Sequence, residues 1–187
     1  VRILALDPSL TGTGVALYGT ELEGEFAGVR TWTIVPPAHY RGAARLHAIQ
    51  QEIANVARGI DLVVIEGYAF SRQNQAHQLG ELGGVIRLTL FCMRVPFVEL
   101  APSIRAKLAT GKGNGSKDEV FSAAFVRLGY RGSSKDEADA LWLLEAALQH
   151  YELPGRATLP QTHTERLAKD ETRWYSYAHL KQRAEAR

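Results

Sequence analysis

The chain has 187 residues, 45% hydrophobic and 22% charged, with 17 Gly and 7 Pro. That is the composition of one globular domain burying roughly two-thirds of its unfolded surface, and it excludes low-complexity disorder and a collagenous chain. No apolar run reaches the ~18 residues that span a bilayer, and the first residues lack a signal-peptide pattern, so a cytoplasmic protein is expected. The single Cys, Cys92, excludes an internal disulfide framework and a Cys-built metal cluster, and beside Met93 it reads as buried apolar filling. Lys and Arg number 22 against 20 Asp and Glu, a formal net of +2 that does not announce a nucleic-acid binder. The charge is uneven, however. Residues 154–187 carry seven Lys/Arg against four acids, and residues 101–117 hold Arg105, Lys107, Lys112 and Lys117 with no acid at all.

In chain order, residues 1–7 are mostly apolar and end at Asp7 before Pro8, which cannot continue a ladder. With 12–18 and 24–35 they predict a three-stranded antiparallel meander, stopped by Pro36-Pro37. Leu46, Ile49, Ile53 and Val56 recur at helical spacing within 41–58, and the apolar run 61–66 predicts a strand buried on both faces. A Gly-rich helix over 73–93, a strand over 95–100 and a Pro-initiated helical turn over 102–109 follow. Beyond the loop 110–116 come helices over 117–128 and 134–151, then one further helix over 164–184. The order βββαβαβαα predicts a mixed sheet with helices on both faces.

Asp7 and Glu66 each close an apolar strand, where open α/β sheets place their ligands. Asp136 and Asp139, three apart, share one helical face with Leu143. Turn or helix capping, with Ser134 or Ser133 as N-cap, explains one acid but not an Asp beside Leu143. Four convergent carboxylates without His or Cys suit hard cations, above all Mg²⁺ or Mn²⁺. Two such ions about 4 Å apart stabilise the attacking and leaving oxygens of phosphodiester hydrolysis, which requires a polyanionic substrate. The string 136–139 spells a helicase box, yet 111–117 lacks the order of a phosphate-binding helicase loop.

Four segments in order resemble the RuvC family of Holliday junction resolvases: 7–14 (DPSLTGTG), the strand ending Ile65-Glu66, 109–120 (ATGKGNGSKDEV) and 136–140 (DEADA). Compact resolvases of this kind are also carried by bacteriophages. The resemblance spans about residues 1–150. It implies an RNase H-like α/β fold with a five-stranded mixed sheet of order 3-2-1-4-5, a homodimer, and metal-dependent paired nicking of four-way DNA junctions. Asp7, Glu66, Asp136 and Asp139 match the family's catalytic, metal-holding tetrad, which implies two Mg²⁺ per active site with Mn²⁺ as substitute. Lys117 and Lys112 match basic residues at the scissile and flanking phosphates. Tyr68 and Phe70 flank the position of an aromatic wedge that opens base pairs at the junction centre. Glu137, beside the tetrad, is expected to face solvent. Residues 1–153 are expected to form the nuclease domain and 154–187 a basic, helical C-terminal extension.

Arg105 and Lys107 extend the basic segment towards DNA, and Arg72 within 71–77 could face DNA too, although a polar start to the helix is simpler. Gly80, Gly83 and Gly84 weaken their helix, so a close approach is expected there, within the chain or across a two-fold axis. The six His show no ligand spacing, and His47 reads as a surface or packed residue. Trp174, Tyr175 and Tyr177 dock a terminal helix more simply than they stack on bases. Two other functions compete. Residues 7–14 also resemble the first phosphate loop of actin- and hexokinase-like ATPases or kinases, which use two domains and a second loop that this chain lacks. A non-catalytic junction-binding protein would have no reason to keep four carboxylates that repel DNA.

Overall fold

The computed structural model describes residues 1–19, 28–67, 76–169 and 172–186. Among these, five strands form one sheet in the expected order, β3-β2-β1-β4-β5. They are β1 (Arg2–Asp7), β2 (Thr13–Gly19), β3 (Val29–Ile34), β4 (Leu62–Glu66) and β5 (Phe97–Leu100). β1 lies at the centre, antiparallel to β2 and parallel to β4. The helices are α1 (Gly42–Val56), α2 (Ala76–Cys92), α3 (Pro102–Thr110), α4 (Lys117–Leu128), α5 (Lys135–His150), α6 (Gln161–Ala168) and α7 (Tyr177–Glu185). No described helix is long and apolar enough to cross a membrane.

Side chains alternate across a strand, and here the alternation aims the functional residues. Leu4 and Leu6 of β1 and Val63 and Ile65 of β4 pack with Ile49, Ile53, Leu82, Ile86 and Leu90 of α1 and α2. Ile3 and Ala5 of β1 and Leu62 and Val64 of β4 face the opposite layer, with Trp142, Leu143 and Leu144 of α5. Asp7 and Glu66 continue that second set, so both carboxylates leave the sheet on the α5 side. Residues 138–148 of α5 are buried without a break. A helix buried all round is covered on every side; here α3, α4 and α6 pack over the face that the sheet leaves open.

Gly14 sets how closely α5 approaches. It pairs with Asp7 across the β1–β2 ladder. A Cβ at Gly14 would stand 1.9 Å from the Asp136 carbonyl oxygen and 2.3 Å from its carbonyl carbon. Only a bare backbone lets the first turn of α5 rest on β2 opposite Asp7.

The described residues beyond Pro154 pack against the same core, since Leu167 and Leu180 are buried within it. They form two helices in place of the single one expected over 164–184. The chain breaks where Trp174 turns inward to stack on His150, with ring centroids 4.5 Å apart. Ser176 then caps α7 by accepting from His179 N at 3.3 Å. The tail aromatics therefore dock the tail: the Tyr151 hydroxyl donates to the Tyr175 carbonyl at 2.8 Å. Cys92 departs from its expected burial: it ends α2 on the outer face and is exposed. Trp142 is fully buried, whereas Trp32, on the edge strand β3, is partly covered.

Gly14→Ala is expected to destabilise the protein by about 3 kcal/mol or more, because the clash is with backbone and no rotamer relieves it. Equilibrium urea unfolding checks this; a midpoint equal to that of the wild type would mean that α5 is not held by this contact.

Candidate metal centre

Carboxylate oxygens of Asp7, Asp136 and Asp139 come within 4.8 Å of one another. Asp7 and Asp139 are buried, at 7% and 2% exposure. Glu66 stands beside them, its charge raising the Asp7 carboxyl and its Oε1 sharing the Arg105 guanidinium with Asp139. The structure thus brings all four sequence-predicted acids together, Asp7 and Glu66 from neighbouring parallel strand ends and the two others from the first turns of α5.

Two local devices fix that first turn. Ser134 caps α5, its side chain accepting from Glu137 N at 3.2 Å. Glu137, expected to face solvent, turns inward. Its carboxylate accepts from Thr31 Oγ1 at 3.1 Å, from Thr33 Oγ1 at 2.9 Å and from the Tyr130 hydroxyl at 3.1 Å. It ties α5 to β3, because two threonines on one face of that strand offer donors that a solvated acid would not find. Burial, with the Glu137 charge beside it, pushes the Tyr130 hydroxyl up to about 12, which keeps it a donor. Trp142 Nε1 donates to the Val120 carbonyl at 3.1 Å and locks α4 to α5.

The lock on α4 matters because its first residue is Lys117. Ser116 caps α4 in a reciprocal box with Glu119. Lys117 Nζ lies 2.7 Å from Asp136 Oδ1 and 3.6 Å from Asp139 Oδ2, with 46% of its side chain exposed at the lip of the cluster. The loop before it is a bonded turn. Thr110 Oγ1 donates to the Ala106 carbonyl at 2.8 Å and accepts from Lys112 N at 3.1 Å. Lys112 projects from this turn and is exposed.

The other basic residues separate. Lys107 turns to α6, with Nζ 3.6 Å from Glu165 Oε1. Arg105, expected among the DNA contacts, lies inside the carboxylate cluster. Its Nε is 2.7 Å from Glu66 Oε1, its Nη1 is ion-paired with Asp139 Oδ1, and its side chain is 13% exposed. Nothing local in the sequence marks this. Arg105 reaches the cluster because α3 starts directly after β5, the neighbour of β4, and neither position is visible before the strand order is known. Tyr68, Phe70 and Arg72 lie outside the described residues.

The electrostatics are frustrated. Burial, then the Glu66 charge and hydrogen bond and the Asp139 charge, push the Asp7 carboxyl well above the usual carboxylate range, against a smaller pull from Arg105. Burial also raises Asp139, although Arg105 and Lys117 pull it down. Such a cluster of oxygen donors, partly desolvated and mutually repelling, fits a divalent cation of the hard class. A carboxyl raised on folding contributes stability below its unfolded pKa and loses it as pH rises through the folded value, so at neutral pH the metal-free cluster costs stability. Asp7→Asn is expected to raise metal-free stability at pH 7 by about 1–2 kcal/mol and to flatten its fall with rising pH. Unfolding in chelator checks both; a less stable Asp7→Asn protein would mean that Asp7 is a structural acid.

No family model matches the chain. The crossover junction endodeoxyribonuclease RuvC of Synechococcus sp. (strain CC9902) is 30% identical over 146 residues, 75% of this chain and 94% of that protein. The RuvC of Prochlorococcus marinus (strain MIT 9303) gives the same identity and coverage. The solved structure of Thermus thermophilus RuvC superposes with a TM-score of 0.62 at 22% identity, over 86% of this chain and 100% of that one. The structure of T. thermophilus RuvC in complex with Holliday junction substrate also gives 0.62. The structural likeness carries the fold, which is RNase H-like. The identity extends over nearly the whole length of the named relatives and accompanies the motifs that build the carboxylate cluster, and on that ground the chain belongs to the RuvC family.

Proposed function

We propose that this protein is a metal-dependent, structure-selective endonuclease that resolves four-way (Holliday) DNA junctions by paired nicks, and thereby serves DNA recombination and repair in the cytoplasm of a bacterial cell or phage-infected host. The observation that carries this reading is the convergence of Asp7, Asp136 and Asp139 within 4.8 Å, with Glu66 beside them, on the side of the sheet that α5 covers. An acidic core of this kind repels DNA unless it holds cations, so it suits hydrolysis better than simple binding. The kinase reading loses its support, because the Gly12–Gly14 segment that suggested a phosphate loop has another use: Gly14 admits α5 to the sheet.

The roles of the residues follow from their places. Asp7, Asp136 and Asp139 hold a divalent cation, Mg²⁺ or in substitution Mn²⁺, and Glu66 completes the shell that two ions need. When bound, such ions supply Lewis-acid stabilisation to the attacking and leaving oxygens of an in-line phosphodiester displacement. Lys117, half-exposed at the lip, exchanges its bond to Asp136 for a phosphate oxygen and draws the scissile phosphate to the cluster. Lys112 and the turn around it contact the flanking phosphate. We assign residues 1–153 to the nuclease and 154–187 to a basic extension that buttresses it. His163 of α6 is buried and donates from Nδ1 to the Leu108 carbonyl at 2.7 Å, and a Cβ at Gly111 would lie 2.9 Å from its Nε2. α6 therefore backs the turn that carries Lys112.

A symmetric junction needs two cuts related by a two-fold axis, and a C2 homodimer supplies them. α2 offers the face for it. Leu88 and Phe91 are 64% and 75% exposed. Gly80 and Gly84 lie on the same stripe, and a Cβ at either meets nothing within 4 Å. Of the glycines expected to mark a close approach, Gly83 is buried within the protomer, whereas Gly84 is exposed and leaves this face open to a second copy.

The test is incubation with a labelled four-way junction and Mg²⁺. Symmetric nicks in two opposing strands are expected. Asp139→Asn should slow them by about three orders of magnitude, or about 4 kcal/mol in the barrier, without abolishing junction binding. A wild-type protein that binds the junction but never nicks it with any divalent metal would overturn the proposal.

A further inference from the structure

Arg105 is the feature that the proposed reaction does not require. It comes from the first turn of α3, between the buried residues Ile104 and Ala106. Its guanidinium lies between Glu66 Oε1 and Asp139 Oδ1. Those two acids come from different elements, one from β4 and one from α5, so the guanidinium bridges strand to helix where a cation is needed. Its contacts are electrostatic in kind. Among the described residues, neither Nε nor Nη1 has an acceptor aligned with its N–H, and both atoms are buried. A positive charge is held there by surrounding negative charge: burial acts to lower the Arg105 pKa, but Glu66, Asp139 and Asp7 together raise it.

Charge counting gives this a consequence. The cluster contains four carboxylates, Asp7, Glu66, Asp136 and Asp139, and two built-in cations, Arg105 and Lys117. With all four acids ionised, as metal binding requires, two negative charges remain, which one divalent ion cancels. A second ion would leave the partly buried site with two surplus positive charges, a cost that low dielectric magnifies. The geometry agrees with the count. Asp7, Asp136 and Asp139 converge as one ligand set, whereas Glu66 is engaged by Arg105 at 2.7 Å. The two cations also differ in freedom: Lys117 stands at the lip, 46% exposed, and Arg105 is enclosed at 13%. A phosphate can draw Lys117 away, but Arg105 leaves only if its whole pocket opens.

We propose that Arg105 is a resident cation occupying the position of a second metal ion, so that the DNA-free protein binds one divalent ion, at Asp7, Asp136 and Asp139. A second ion then enters only with the phosphate's added negative charge, by displacing the guanidinium from Glu66. Arg105 is in this sense a positioning residue that sets metal occupancy. The inference rests on the reading of the carboxylates as a divalent-metal site, and its test separates the two.

The full chain is titrated with Mn²⁺ in the absence of DNA, with bound ion read from the loss of the free-ion electron paramagnetic resonance signal and from calorimetry. One ion per protomer is expected for the wild type. Arg105→Gln, which removes the charge and keeps a polar side chain, should bind two, or bind the first at least about tenfold more tightly because one neighbouring positive charge is gone. Arg105→Lys, which keeps a charge at the same place, should still bind one, and it serves if the glutamine variant does not fold. Two ions bound by the wild type with similar affinity, or a stoichiometry and affinity unchanged in Arg105→Gln, would overturn this inference while leaving the metal site intact. No Mn²⁺ bound by the wild type would overturn the metal-site reading itself.

Discussion

The repulsion among desolvated carboxylates at the centre of the sheet is the constraint around which the protein is arranged. Left to themselves, Asp7, Glu66, Asp136 and Asp139 would separate or take up protons. The fold prevents separation by rigid means. β1 and β4 are neighbours in a parallel ladder, so their terminal acids cannot drift apart. α5 cannot lift away, since Gly14 lets it settle onto β2 and Glu137 ties it to Thr31, Thr33 and Tyr130. The long apolar face of α5 supplies the holding energy: each large side chain it buries contributes about 1.5–3 kcal/mol. Activity and stability oppose each other here, and the core of α5 covers the difference.

Formal charge says little about such a protein. A net of +2 describes a chain in which opposite charges are sorted in space. Acids gather inside, where Arg105 and Lys117 partly balance them, and other basic groups stay on the rim. The sign that a DNA backbone meets depends on which cations fill the centre.

Much of this was legible in residue order. The apolar runs over residues 1–7 and 61–66 placed Asp7 and Glu66 at strand ends, and the i, i+3 spacing placed Asp136 and Asp139 on one helix face, because both signals are local. Strand order came from resemblance, and the ladder bears it out. What stayed hidden depended on contacts between distant segments. Glu137 looks solvated until β3 is known to pass beneath it. Arg105 looks like a rim cation until α3 is seen to start beside β4. The tail reads as one amphipathic helix until Trp174 finds His150, which breaks it in two. Cys92 looks apolar by type, and its exposure reflects the uncovered side of α2.

The repulsion among the four acids is what a bound cation would relieve. A crystal grown with Mn²⁺ and examined at the manganese absorption edge tests it most directly. An anomalous peak is expected about 2.1–2.3 Å from carboxylate oxygens of Asp7, Asp136 and Asp139, with Lys117 moved aside. Empty density there, with the acids still paired to Lys117 and Arg105 and manganese bound elsewhere or nowhere, would contradict it.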